Sequence, residues 1–255
     1  MPDVTTSRNA GGESPEPRDV AARLERAPRL PDGTGERFRG YGVVGLPLAS
    51  GHVLALRRYT ASSIGPAYTC VWLRDPDGRW TFYADAPPNV SCARFFGADG
   101  DAAAVDRITV TWTGPRSFTA VVDGARLAWA VHLRPTARSR VLSAAAASLP
   151  ERLWHDAHAL AALGAVAGRT LDVGQLRLAG RAPSGHHFRV APRGVWPVDA
   201  STVLVDGESL GPQDGGAAPQ SRLGDFWIPR RGLFVVWELC FDDGRHAGGG
   251  RRVGD

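Results

Sequence analysis

A chain of 255 residues, 43% hydrophobic and 22% charged, has room for one large domain and is too apolar to be disordered throughout. The formal charge is +4 and all 30 basic residues are arginine, which excludes any lysine amine for a Schiff base, a pyridoxal phosphate anchor, a phosphate-loop lysine or a Ser–Lys dyad. Cys70, Cys92 and Cys240 are spaced too widely for a disulfide framework or a Cys-x-x-Cys metal knuckle.

In chain order, residues 1–37 are rich in Pro, Gly, Ser, Arg and Glu. They read as a disordered arm in which Asp19–Ala27 can form a short helix capped by Asp19. No apolar leader is visible in it, so a cytoplasmic location is expected. A strand is predicted over Val53–Tyr59. Tyr68–Arg74 alternates, with Tyr68, Cys70 and Trp72 on one face and Thr69, Val71 and Leu73 on the other. Asp75-Pro76-Asp77-Gly78 then supplies the turn chemistry of a hairpin returning through Arg79–Ala84. Arg107–Thr113, Phe118–Val122 and Leu127–Leu133 continue as strands separated by Gly114-Pro115 and Asp123-Gly124.

The period then changes. Thr136–Ser148 is alanine-rich, and Pro150–Gly164 places Leu153, Ala157, Leu160 and Gly164 on one helical stripe. Ser148-Leu149-Pro150-Glu151 has the spacing of a capping box. Two helices are expected within an insert over 136–169. The longest weakly apolar run, Val141–Leu149, is far too short for a membrane span. Strands resume at Gln175–Gly180, His186–Ala191, Val195–Val198, Thr202–Val205 and Leu233–Phe241, and Gly244–Asp255 reads as a flexible tail.

Short strands joined by tight turns predict a mainly β protein. The expected form is an antiparallel barrel, or two curved sheet halves, over residues 38–243 with the two helices inserted in the middle. The segments Gly40–Pro47, Tyr68–Tyr83 and Leu223–Pro229, taken with this organisation, resemble lipocalin-like (calycin) proteins of the carotenoid hydratase and lipocalin-like cyclase group, and more closely still uncharacterised actinobacterial proteins. The resemblance implies a lipophilic ligand held in a barrel or between two sheet halves. It transfers no catalytic motif.

The residues themselves suggest where chemistry could sit. Tyr68 and Trp72 share a strand face and are the leading lumen candidates, with Tyr83, Trp196 and Trp227 as further aromatic wall. Glu238 interrupts an apolar strand and shares a face with Phe234, Val236 and Cys240. On an interior face its carboxyl would suit general acid work; the structural alternative is a carboxylate paired with arginine. Asp225, between glycine and two aromatics, reads as a cap or loop anchor or as a second acid/base candidate, with Arg230 and Arg94 as anion clamps, a surface salt bridge being the alternative for Arg94. His132 lies on a face of small residues that could border the lumen. The histidines have no metal-chelating spacing, and no nucleotide fingerprint precedes a helix. Neither metal nor cofactor is expected, and the interspersed acids leave no stripe for specific nucleic-acid binding. The sequence sets no oligomeric state. These features point to a cofactor-independent cyclase, hydratase or isomerase acting on a terpenoid or polyketide. A non-catalytic carrier is the alternative.

Overall fold

The computed structural model describes residues 15–98 and 101–242. The tail expected over 244–255 and the first fourteen residues of the expected arm lie outside that range. The elements run in chain order as helix α1 (Pro17–Arg26), strands β1 (Glu36–Val43), β2 (Leu46–Pro47), β3 (Val53–Ser62), β4 (Tyr68–Arg74) and β5 (Trp80–Ala84), and the single turn α2 (Ala93–Phe96). Strands β6 (Ala102–Val105), β7 (Ile108–Trp112), β8 (Ser117–Val122) and β9 (Leu127–Leu133) lead to helices α3 (Ala137–Ser148) and α4 (Ala157–Leu171). The chain closes with β10 (Ala179–Arg181), β11 (His187–Val205), β12 (Glu208–Ser209), β13 (Arg222–Leu223), β14 (Phe226–Trp227) and β15 (Leu233–Asp242).

The fold is mainly β. One sheet curls into a half-barrel in the order β6-β5-β4-β3-β1-β15-β11-β9-β8-β7, with every neighbouring pair in that order antiparallel except the parallel pair β5–β6. The strand β11 makes the curl. Residues 187–197 pair with β15, residues 198–205 pair with β9, and the register shifts at Pro192/Gly194 and at Val198/Ala200. Sequence punctuation at Pro192, Gly194 and Pro197 suggests three separate strands. The structure instead keeps one strand: Pro192 and Gly194 flank one bulge, a second follows Val198, and Pro197 pairs with Leu233 within the strand. Of the expected strand Gln175–Gly180, only Ala179 and Gly180 are in a strand, the short β10.

Both faces of the central strands are buried. Ala55, Tyr59, Tyr68, Cys70, Trp72, Phe82, Val235 and Trp237 belong to one core. Leu54, Leu56, Val71, Phe234, Val236, Trp129 and Trp196 belong to the other. A strand buried on both sides reads as a continuous apolar run, which is the character of Leu233–Val236. Gly40 and Gly42 let β1 lie close to β3: a Cβ on either would sit 2.1 Å from the Arg58 carbonyl oxygen or 2.0 Å from that of Leu56.

The expectation of a disordered arm does not hold over residues 15–37. Helix α1 starts three residues earlier than expected, after Glu16 rather than Asp19, and buries Ala21 and Leu24 against the second core. Ion pairs fix its two ends. Glu16 pairs with Arg116, and Glu25 takes Arg58 at 2.9 Å and the Tyr41 hydroxyl at 3.0 Å. The Arg116 hydrogen bond holds the Glu16 carboxyl below its ordinary pKa. For Glu25, burial pushes upward, but Arg58 and Tyr41 together pull further down. Both carboxylates therefore stabilise the fold fully above the unfolded glutamate pKa, and the contribution is lost as pH falls through the lower folded values. The melting temperature is expected to drop below about pH 4.5. In Glu25→Gln, already less stable at pH 7, the acid-side drop should be smaller. Equal acid-side drops in the two proteins would show that Glu25 does not tie α1 to the sheet.

Candidate functional site

An apolar cavity of about 140 Å³ lies between the sheet and the helical insert. The sheet side is made by Arg57 and Tyr59 of β3, Phe188, Val190, Pro192 and Val195 of β11, and Leu233, Val235, Trp237 and Leu239 of β15. These are alternate residues of each strand, the β11 set shifted by its bulge. Helix α3 contributes Leu142, Ala145, Ala146 and Leu149, the i, i+3, i+4, i+7 set of one face. Trp154, then Leu163, Ala167 and Leu171 of α4, Leu176, Arg177 and Leu178 after it, Phe226 and Trp227 of β14, and Val44 and Phe96 complete the wall. The volume compares with the apolar cavities of about 150 Å³ that stay dry and take a benzene-sized guest.

Local chemistry sets the helical cover in place. The capping box lies at Thr136 and Ser139, not at Ser148–Glu151 as the spacing suggests. Pro150 instead precedes a 3-10 turn over Glu151–His155, and α4 begins after Asp156, whose side chain accepts from the Ala159 N–H at 2.7 Å. The Val195 N–H donates to the Ser143 hydroxyl at 3.0 Å, pinning α3 to β11. Gly164 and Gly168 let α4 approach the chain that follows it. A Cβ on either would come within 2.6 Å of the Leu176 carbonyl oxygen or 2.3 Å of that of Gly174.

The least expected member of the wall is Arg57. It is only 4% exposed and makes no ion pair with a carboxylate among the described residues. Its guanidinium donates to the carbonyls of Val43 at 3.1 Å and Val44 at 3.2 Å. It lies 4.1 Å from the ring centroid of Trp72, with Phe226 and Trp237 at 5.3 and 5.6 Å. Carbonyl dipoles and π faces offset part of the cost of burying this charge.

Behind Arg57 and Tyr59 sits a cluster invisible in the cysteine spacing. Residues of β4 and the turn before α2 bring the Cys70 and Cys92 sulfurs to 2.6 Å. The hydroxyls of Tyr68 and Tyr59 lie 3.7 and 3.8 Å from Cys92 Sγ. Burial pushes the Tyr59 phenol and the Cys70 thiol well above their ordinary pKa values. At Cys92 burial also pushes upward, but the Cys70 hydrogen bond and the Arg57 charge outweigh it and hold the thiol below its usual value.

Of the sequence-predicted site residues, Trp227 lines the cavity. Tyr68 and Trp72 are buried on the same sheet face, one layer behind it: Trp72 packs on Phe96 and Phe226, and Tyr68 on Tyr59. The rest are elsewhere. Glu238 faces the opposite way from Trp237 and does not line the cavity. It pairs with Arg39 at 3.3 Å and with the Arg193 Nε at 3.0 Å, the structural alternative for a carboxylate on an apolar strand. Asp225 accepts from Arg177 at 3.0 Å and from the Arg181 N–H at 3.0 Å, so it fixes the loop and the arginine at the cavity rim. Arg94 pairs with Glu36, Trp196 fills the second core against Phe234, and Tyr83 packs beside that second core. His132 is exposed, its Nδ1 2.9 Å from the Ser117 hydroxyl, because its strand face is solvated. Arg230 is exposed at a separate polar groove.

No protein-family model matches the chain, and no curated protein sequence matches it. Among solved structures it is similar to an acetoacetate decarboxylase from Legionella pneumophila, with 11% identity, a TM-score of 0.38 and coverage of 91% of this chain and 95% of that one. At that score no residue of the neighbour is transferred to this chain.

Proposed function

We propose that this protein binds a compact lipophilic small molecule between the helical cover and the inner sheet face. The observation that carries the reading is the wall itself. Twenty-five residues surround the cavity and none is Asp, Glu, Asn, Gln, Ser, Thr or His. Burial of such a wall against solvent-sized guests gains little, whereas an apolar guest removes its surface from water at about 25 cal/mol per Å². The lipocalin-like resemblance in the sequence points to the same class of ligand.

Glu238 and Asp225 each hold arginine and are not part of the wall. A cyclisation, hydration or isomerisation in this cavity would therefore run through the polar groups that border it, Arg57 and Tyr59, rather than through a carboxylic acid. The binding reading needs no such step and is the one the geometry supports best.

The test uses the compact fluorescent probe 1-aminonaphthalene, uncharged at pH 7.5. Saturable enhancement with a micromolar Kd is expected, a typical small-ligand affinity worth about 8 kcal/mol. In Ala146→Phe, which fills the cavity from α3, the affinity should fall at least about tenfold with the melting temperature retained. A folded wild type that gives no saturable signal, or an Ala146→Phe protein that binds as well as wild type, would defeat the proposal.

A further inference from the structure

The polar side chains of the cavity wall almost all donate hydrogen bonds. Arg57 and Arg177 bring guanidinium groups, and a guanidinium has donors and no acceptor. Trp154, Trp227 and Trp237 bring indole N–H groups, and all three of these nitrogens are buried without an acceptor among the described residues. Trp154 and Trp237 are each 4% exposed, so water does not satisfy them from outside. Tyr59 adds a phenol on the same face as Arg57, two residues further along β3.

Buried donors left without acceptors are costly, and a buried guanidinium without a carboxylate more so. Each of the other arginines close to this cavity has an acid: Arg177 is bridged to Asp225, and Arg193 to Glu238 and Glu151. Arg57 has backbone carbonyls and aromatic faces only. Cys92 is the titratable group whose charge would oppose it most directly, but Cys92 does not reach the wall.

From this imbalance we infer that the ligand is an apolar carboxylic acid whose carboxylate is taken by Arg57 while its hydrocarbon body fills the space under α3 and α4. The inference rests on the small-molecule reading above and adds the head group to it. A carboxylate supplies up to four acceptor positions, and Arg57 meets it with the N–H groups that the Val43, Val44 and Leu56 carbonyls do not take. The indole N–H groups of Trp237 and Trp227 would then serve a second oxygen on the ligand body. The size of the cavity favours a compact ring system over a long chain, since a fully extended fatty acid would leave most of its length outside.

The inference is tested by calorimetry on the full chain with two probes of one shape, 1-naphthoic acid and 1-naphthylmethanol, at pH 7.5, where the acid is ionised. Wild type is expected to bind the acid at least about tenfold tighter than the alcohol, the scale of one charge-assisted interaction. Arg57→Met should weaken the acid about 10- to 100-fold and the alcohol less than about threefold. Arg57→Lys, which keeps the charge but loses the fork, should fall between. If the alcohol binds wild type as tightly as the acid, the carboxylate assignment is wrong while the lipophilic-ligand reading stands. If the wild-type preference for the acid persists in a folded Arg57→Met, the anion is held elsewhere and the assignment to Arg57 is overturned. If neither probe binds and 1-aminonaphthalene also fails, the cavity reading itself falls. Should Arg57→Met not fold, the wild-type comparison and Arg57→Lys decide the matter.

Discussion

Trp72→Ala is expected to destabilise the protein by about 3–5 kcal/mol, the range for truncating a fully buried large aromatic. Trp72 has no solvent exposure. Its ring meets Phe96 at 4.8 Å, Phe82 at 5.2 Å, and Trp80 and Phe226 at 6.2 Å between centroids. These neighbours come from β5, α2 and β14, elements separated widely in sequence, so the site cannot collapse by moving one of them. The π face 4.1 Å from the Arg57 guanidinium is lost as well, which adds about 0.5–2 kcal/mol to the cost of keeping that charge buried. Urea unfolding should show the lower midpoint with an unchanged slope, and Trp72→Phe should recover roughly half of the loss. Affinity for an apolar acid should fall in Trp72→Ala even where the protein is folded, because Arg57 loses the surface that orients it. A Trp72→Ala protein within about 1 kcal/mol of wild type would mean that the inner face is loosely packed and that Trp72 does not support the wall.

The hairpin that carries Trp72 was fully legible in the sequence. Its strict alternation over Tyr68–Arg74 and its Pro-Asp-Gly turn specify strand, face and register together, and each is a short-range property. The same holds for β7 to β9, whose Asp-Gly and Gly-Pro turns leave no room for a crossover. Long-range register was not legible. Glu238 reads as an acid on an apolar face because nothing local says that Arg39 lies directly opposite it across β1–β15, or that a bulge at Pro192/Gly194 swings Arg193 toward it. The single strand β11 was hidden by its own prolines, which mark bulges as readily as strand ends.

Arg57 is different, because its placement did lie within reach. Alternation over Val53, Ala55, Arg57 and Tyr59 puts a charge among inward residues, but an Arg57-Arg58 pair in an arginine-only chain looks like surface. Only Arg58 is the surface member, bound to Glu25. The helical insert was visible as two helices, yet its role as a lid was not. Two thirds of helix α3 is Ala or Ser, so the face formed by Leu142, Ala145, Ala146 and Leu149 stands out weakly from the rest. What identifies it is the hydrogen bond from Val195 to Ser143, a contact across 52 residues.

Glu238 decides between a catalytic and a supporting role for the acid in the middle of the apolar strand β15. Its side chain is 15% exposed and joins Arg39 and Arg193. Arg193 reaches on to Glu151 at 3.0 Å, and its guanidinium lies 5.3 Å from the ring centroid of Trp154, part of the cavity wall. Glu238 therefore ties the sheet, through Arg193, to the turn that leads into α4. Glu238→Ala leaves two half-buried guanidinium groups facing each other. About 2–3 kcal/mol of stability should be lost, below the value for a wholly buried pair because Arg39 and Arg193 keep some water. Glu238→Gln should lose less, since its amide oxygen still accepts from Arg193. Among molecules that remain folded, 1-aminonaphthalene should bind Glu238→Gln within about threefold of wild type, a change under 1 kcal/mol. The opposite pattern, full stability in Glu238→Ala with ligand conversion abolished in Glu238→Gln, would return the carboxyl to the chemistry and would require Arg193 to move aside when the ligand enters.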